Sequence, residues 1–155
     1  MRSKAQAKPE NVQYAALPWR STPDGIEILL ITTLNTKRWI IPKGWPLDGL
    51  SPPDSAAREA LEEAGICGTI ASDAFGSFAY EKVRKSGQVV TCKVSVFPMH
   101  VEQQRKRWVE KGAREMRWCR LDEALELVSM PDLCRILTQF ARSQFVLQKD
   151  QAAGL

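Results

Sequence analysis

A chain of 155 residues, 44% hydrophobic and 26% charged, has the size and balance of a single globular domain with its own core. Its net charge of +4 and pI near 9.0 point to an anionic partner. No apolar run reaches the ~18 residues of a membrane span, the one histidine (His100) excludes a histidine-rich metal site, and four scattered cysteines with no Cys-x-x-Cys pair exclude a zinc site or disulfide framework.

Those cysteines (Cys67, Cys92, Cys119, Cys134) read as reduced thiols of a cytoplasmic protein. The polar start, Met-Arg-Ser-Lys-Ala-Gln-Ala-Lys-Pro-Glu, lacks the apolar centre of a signal peptide. Residues 1–11 are expected to be a flexible tail, 12–148 one domain, and 149–155 a second flexible tail. Within the domain a strand is expected over 12–20, followed by the turn Ser21-Thr-Pro-Asp-Gly25. The dense apolar, β-branched run over 26–34 reads as a central strand buried on both faces. A short strand at 38–41 then leads into Pro42-Lys-Gly44.

Next comes a loop rich in glycine and proline, and then a helix with both of its ends marked. Ser51 suits the N-cap, Pro52 the first helical position and Asp54 the positive helix end, while Gly65 suits the left-handed stop. At about 100° per residue, Ala57, Ala60, Leu61 and Ala64 fall on one side and Glu59, Glu62 and Glu63 on the other. Arg58 stands at i,i+4 from Glu62. A crowded acidic face of this kind is either ordinary solvated surface or a ligand set that becomes favourable when a hard cation arrives.

Beyond the helix, strands are expected at 66–70 and 74–83, with a hairpin turn at Lys85-Ser-Gly-Gln88 and a long returning strand over 89–101. Residues 103–113 read as an exposed basic loop. From Glu102 to Arg120 there are seven Lys/Arg against three Glu. A strand over 115–121 precedes a short helix capped by Asp122. A final helix follows, with the stripe Leu133, Ile136, Leu137 and Phe140. Strands on either side of a central helix, plus a C-terminal helix, imply an α/β fold with a mixed sheet covered on both faces.

The segment Gly44 to Ile66 resembles the Nudix box, Gly-x5-Glu-x7-Arg-Glu-U-x-Glu-Glu-x-Gly-U, where U is a bulky apolar residue. Gly44, Arg58, Glu59, Glu62, Glu63, Gly65 and Ile66 match in spacing. Leu50 stands in place of the first glutamate, and Ala60 is small for U. Arg38-Trp-Ile-Ile-Pro42, and Trp108, Glu110, Arg114 and Trp118 followed by Glu123-Ala124, resemble the diphosphoinositol and diadenosine polyphosphate branch. The resemblance covers about residues 12–130 and implies a Nudix-type α/β/α sandwich.

It also implies metal-dependent hydrolysis of a pyrophosphate bond in a nucleoside diphosphate linked to another moiety, with Mg²⁺ or Mn²⁺ as cofactor. Glu59, Glu62 and Glu63 are then the metal ligands, joined by the carbonyl of Lys43. Arg58 either orients Glu62 or forms a plain helix salt bridge with it. Lys43, Gly44, Lys111 and Arg114 are the expected substrate contacts. Arg20, Arg38 and Lys82 are further candidates that surface solvation explains equally well. Trp45 and Trp108 are free to stack a base, whereas Trp39 and Trp118 read as core. Leu50 is expected to pack beside Leu47 or Trp45, with Asp48 standing in part for the missing glutamate. Two other readings stay open: a Nudix-fold binding module without strong catalysis, and an RNA 5'-end pyrophosphohydrolase. A pure RNA binder lacks support, because no RNP-type aromatic motif accompanies the basic segment. The expected partner is a small polyphosphate; neither the sequence nor the resemblance gives an oligomeric state.

Overall fold

The computed structural model describes the backbone of residues 11–153 and the side chains of residues 11–144. Eleven elements follow in order: β1 (Val12–Thr22), β2 (Gly25–Thr32), β3 (Trp39–Ile40), β4 (Lys43–Gly44), α1 (Pro52–Ala64), β5 (Ile66–Ile70), β6 (Gly76–Val83), β7 (Val89–Gln104), β8 (Met116–Cys119), α2 (Leu121–Leu127) and α3 (Pro131–Ala153). The eight strands form one sheet in the order β3-β2-β1-β7-β5, with β4 on β1, β6 on β7 and β8 on β2. Strands β1 and β7 run parallel through the middle, and every other pairing is antiparallel. This is the expected mixed sheet.

Alternation along the central strands divides the core into two layers. Ala15 and Leu17 of β1 and Ile28 and Leu30 of β2 point to the side where α3 lays down Leu133, Ile136, Leu137 and Phe140. Ala16, Leu29 and Ile31 point to the other side, against α1. The apolar run of β2 is therefore buried on both faces, as its composition requires. Fully burying each large side chain of the α3 stripe contributes about 1.5–3 kcal/mol.

Helix α1 begins and ends where its sequence says. Ser51 Oγ accepts the Asp54 N–H at 3.3 Å, Pro52 opens the first turn, and Gly65 closes the last with φ 69°. The rotation of the helix differs from expectation. Its buried line is Ala56, Ala60, Glu63 and Ala64, while Ala57 and Leu61 are only half-buried. Three alanines at four-residue spacing let the helix sit close to Ala16, Leu29 and Ile31. Glu63 is carried inward with them.

Other corrections are small. The cap of α2 is Arg120, whose N–H is accepted by the Glu123 carboxylate at 3.1 Å, and not Asp122. Strand β4 lies inside what reads as loop. Helix α3 continues to Ala153, past the expected boundary at 148. The expected tail at 1–11 lies, apart from Asn11, outside the described residues. No helix among the described residues is long and apolar enough to cross a membrane.

Candidate active site

Two backbone approaches fix the position of the acidic helix. Strand β4 pairs with β1 through Tyr14–Gly44 and Ala15–Lys43, bringing Gly44 onto the side of α1. A Cβ at Gly44 would lie 2.4 Å from Cδ of Glu59, so the Glu59 carboxyl packs directly on this glycine's backbone. On the other side, the segment after β7 docks on the end of α1. Glu110 N–H donates to Glu62 O at 3.0 Å, and Arg105 N–H to Gly65 O at 2.7 Å. Gly65 has the Trp108 ring against its Cα, where a Cβ would meet it at 2.3 Å.

This docked segment brings Arg114 to the carboxylates. Its Nε donates to Glu110 Oε1 at 2.7 Å, its Nη1 to Thr32 O at 2.9 Å, and its Nη2 lies 3.8 Å from Glu63 Oε2. Both the Arg114 and Glu63 side chains are under 10% exposed. Lys43 reaches the same pocket, donating to the Tyr80 hydroxyl at 2.9 Å and to Gln13 Oε1 at 3.2 Å. A cavity of about 300 Å³ opens between these groups, lined by Lys43, Glu63, Tyr80, Lys82, Arg114 and the Thr33–Thr36 turn.

Burial is the main influence on the titration of this site. It raises the Glu63 carboxyl from 4.5 to about 8, with Arg114 pulling the other way and the neighbouring Glu59 adding to the rise. Glu59 is raised too, again mainly by burial. Burial likewise lowers the Lys43 ammonium to about 8, against the attraction of Glu63. The metal-free pair Glu59–Glu63 thus favours holding a proton at neutral pH. Because the folded chain binds that proton more tightly than the unfolded chain, the stability it confers is complete below the ordinary 4.5 and is lost as pH rises towards about 8. In EDTA the melting temperature should therefore fall across that interval, and the Glu63→Gln variant should lose most of that slope.

The expected residues divide between two places. Glu63, Lys43 and Arg114 come together around the cavity, with Glu59 beside Glu63 and against Gly44. Arg58 is exposed and makes no ion pair among the described residues, so its contact with Glu62 is not formed. Instead Arg58 and Glu62 line a separate groove beside Trp108. Lys111 is also elsewhere: its Nζ donates to the Lys106 carbonyl and lies 5.2 Å from the Trp108 ring centre. Arg20 is engaged by Glu27 at 2.7 Å and lies 4.1 Å over Trp118, which makes it structural. His100 is exposed and stacks on Trp19 at 4.4 Å. Leu50 is half-buried, and its N–H closes a turn onto Leu47 O at 3.1 Å.

Gln13 and Tyr80 are site residues that the sequence reading missed. A buried glutamine within an apolar strand was the available signal for the first; nothing marked the second.

Two carboxylates one helical turn apart, that of Glu59 against the backbone of Gly44, supply the oxygen chemistry that Mg²⁺ and Mn²⁺ select. Their upward shifts come first from burial. Among the described residues no three acidic, histidine or cysteine side chains gather closely enough to enclose an ion. The fit therefore rests on Glu59 and Glu63, without Glu62.

A mixed sheet between an acidic, glycine-stopped helix and a C-terminal helical layer defines an α/β/α protein whose site lies at the helix–loop junction. The NUDIX domain model matches residues 15–139, and the chain belongs to that family. It is 32% identical over 122 residues to Nudix hydrolase 12, mitochondrial, of Arabidopsis thaliana, covering 76% of this chain and 59% of that protein. To Nudix hydrolase 13, mitochondrial, of the same plant it is 30% identical over 122 residues, covering 76% and 60%. The chain thus spans about 60% of the length of these curated relatives. Among solved structures, the C. elegans Ap4A hydrolase binary complex superposes with a TM-score of 0.66 at 23% identity, over 88% of this chain and 98% of that one. The E. coli dihydroneopterin triphosphate pyrophosphohydrolase gives 0.64 at 16%, over 88% and 97%. At those identities the likeness is one of fold.

The approach of Glu59 to Gly44 yields a direct test. Gly44→Ala should leave the melting temperature near wild type, because the obstructed atoms are the mobile end of a side chain. Activity should fall by roughly ten- to a hundredfold as Glu59 is pushed aside. Unchanged kcat/KM would remove Glu59 placement from the requirements of the site.

Proposed function

We propose that the chain hydrolyses a pyrophosphate bond in a nucleoside diphosphate linked to a second moiety, with Mg²⁺ or Mn²⁺ held by Glu59 and Glu63. The carrying observation is the buried Glu63, which shares one cavity with Arg114 and Lys43, one helical turn from Glu59, whose carboxyl packs on Gly44. Glu62 and the Lys43 carbonyl are the proposed additional ligands, Glu62 by a side-chain turn from its present groove. When bound, the cation would supply Lewis-acid neutralisation of phosphate charge.

The chain's own groups account for the rest. Lys43 and Arg114 offer N–H donors to the anionic oxygens that otherwise repel a nucleophile. Arg114 is already fixed by Glu110 and Thr32, so it reaches substrate without further ordering. A carboxylate of the cluster accepts the proton of the attacking water. Tyr80 and Gln13 keep the Lys43 ammonium in place.

The substrate proposed first is a dinucleoside or diphosphoinositol polyphosphate, in line with the Ap4A named for one structural relative. Surface arginines put the RNA 5'-end reading second. A cytoplasmic site of action remains proposed; the relatives' names include mitochondrial and chloroplastic proteins. The test is product analysis across diadenosine polyphosphates, diphosphoinositol phosphates, nucleoside triphosphates, ADP-ribose and capped RNA, with Mg²⁺, Mn²⁺ or EDTA. Cation-dependent cleavage of at least one small substrate is expected. No cleavage of any would favour a binding module.

A further inference from the structure

A groove of about 310 Å³ lies between α1 and the segment that follows β7, and it shares no lining residue with the catalytic cavity. Its floor is apolar. Leu61 and Trp108 are half-buried there, and Val109 beside them is 78% exposed. A lone exposed valine is ordinary, but one set next to Leu61 and Trp108 makes an apolar strip open to solvent.

The rim is cationic. Arg58 of α1 and Arg105 and Arg107 of the docked segment are exposed and make no ion pair among the described residues, with Glu62 the single acid of the lining. They meet because Arg105 N–H is held on Gly65 O and Glu110 N–H on Glu62 O. Three like charges gathered in this way repel one another. In the same lining, Trp108 keeps its indole N–H buried with no acceptor among the described residues. Carboxylates arriving from outside would answer both the charge and the orphaned donor.

Nucleic acid and acidic peptide both carry such charge, and the geometry favours the peptide. The Trp108 ring packs against Gly65 and has the Lys111 ammonium 5.2 Å from its centre, so it is no open platform for a base. The strip of Leu61 and Val109 suits an aliphatic side chain, which a sugar-phosphate chain does not carry.

We propose that this groove docks an acidic peptide segment of a partner protein. One aliphatic side chain lies on Leu61, Trp108 and Val109, and flanking carboxylates pair with Arg58, Arg105 and Arg107. The occupant bridges α1 and the segment that carries Arg114, so its binding stabilises the folded chain.

The test is equilibrium binding of short labelled peptides to the intact chain, with melting curves read alongside. One peptide sets glutamates around a central leucine, a second replaces the leucine by serine, and a third replaces the glutamates by lysines. A single-stranded oligouridylate of similar length is the fourth probe. The glutamate–leucine peptide is expected to bind saturably, weaken as salt rises, and raise the melting temperature. The serine peptide should bind at least tenfold more weakly for want of the buried side chain. The double variant Arg105→Glu, Arg107→Glu should lose at least tenfold for the glutamate–leucine peptide and gain affinity for the lysine peptide, a reversal that mere loss of structure does not produce. Val109→Asp should lose at least tenfold as well. No saturable binding by the wild type, equal affinity for the leucine and serine peptides, unchanged binding in both variants, or tighter binding of the oligouridylate would overturn the proposal.

Discussion

Glu63→Gln is expected to reduce turnover by three orders of magnitude or more while leaving the metal-free fold at least as stable as wild type. Its basis is burial. The residue is 6% exposed, and its carboxyl is raised to about 8, so near neutral pH the apo protein holds it largely as the neutral acid. A glutamine matches that neutral acid in shape and polarity. The substitution therefore removes little from the empty fold, and it takes away a charged ligand when a cation is bound. Melting curves in EDTA should coincide near pH 4.5, and by pH 7 the variant should melt above wild type, which alone has lost stability to ionisation of its unfolded chain. In millimolar Mn²⁺ only the wild type should rise, by mass action on the folded state. Near-normal activity in the variant would remove Glu63 from the cation site.

Arg114→Ala should have the largest effect on stability. The guanidinium is the common partner of Glu110, Thr32 O and Glu63, and its side chain is 9% exposed. Without it the Thr32 carbonyl loses a donor and two carboxylates lose their shared countercharge. Breaking a buried pair of this type costs about 3–5 kcal/mol, equivalent to roughly 10 °C in melting temperature for a domain of this size. Turnover should fall as well, through loss of the donor facing the substrate. Raising Mg²⁺ should recover part of the stability, since a cation on Glu59 and Glu63 replaces some of the missing charge. A variant that melts within about 1 °C of wild type would show the arrangement to be incidental.

Much of the fold was legible because its signals are local. Ser51, Pro52 and Gly65 bound α1 through hydrogen bonds and dihedral preferences within a few residues. The alternating burial of Ile28, Leu29, Leu30 and Ile31 follows from a continuous apolar run that has to serve both faces. The rotation of α1 was not legible. A periodic count cannot separate Ala56 from Ala57 as the buried alanine when both are small. The choice was made by the segment that docks against Glu62, Gly65 and Leu61 from far along the chain.

The same long-range contact explains what was misread in the site. Glu63 reads as solvent-facing because its charge argues against burial, whereas burial raises its carboxyl enough for the metal-free chain to hold it largely neutral, beside an Arg114 brought from far along the chain. Arg58, the adjacent arginine, is the local candidate for that work, yet it faces the groove beside Trp108. Lys43 was singled out as a candidate, but its partners Gln13 and Tyr80 were not, since β1 and β6 meet it only once the sheet has formed. Lys111 read as a phosphate contact from its place in a basic run. The loop turns it back onto Lys106 and Trp108.

Everything proposed for the chemistry depends on Glu59 and Glu63 acting together as a cation site. Mn²⁺ titration followed by the loss of free-ion paramagnetic signal measures that without reference to any substrate. Saturable binding of at least one ion per chain is expected for the wild type, with at least tenfold weaker binding in Glu59→Gln and in Glu63→Gln, and none detectable in the double variant. Saturable Mn²⁺ binding that survives unchanged in the double variant, or no binding by the wild type at millimolar ion, would contradict it.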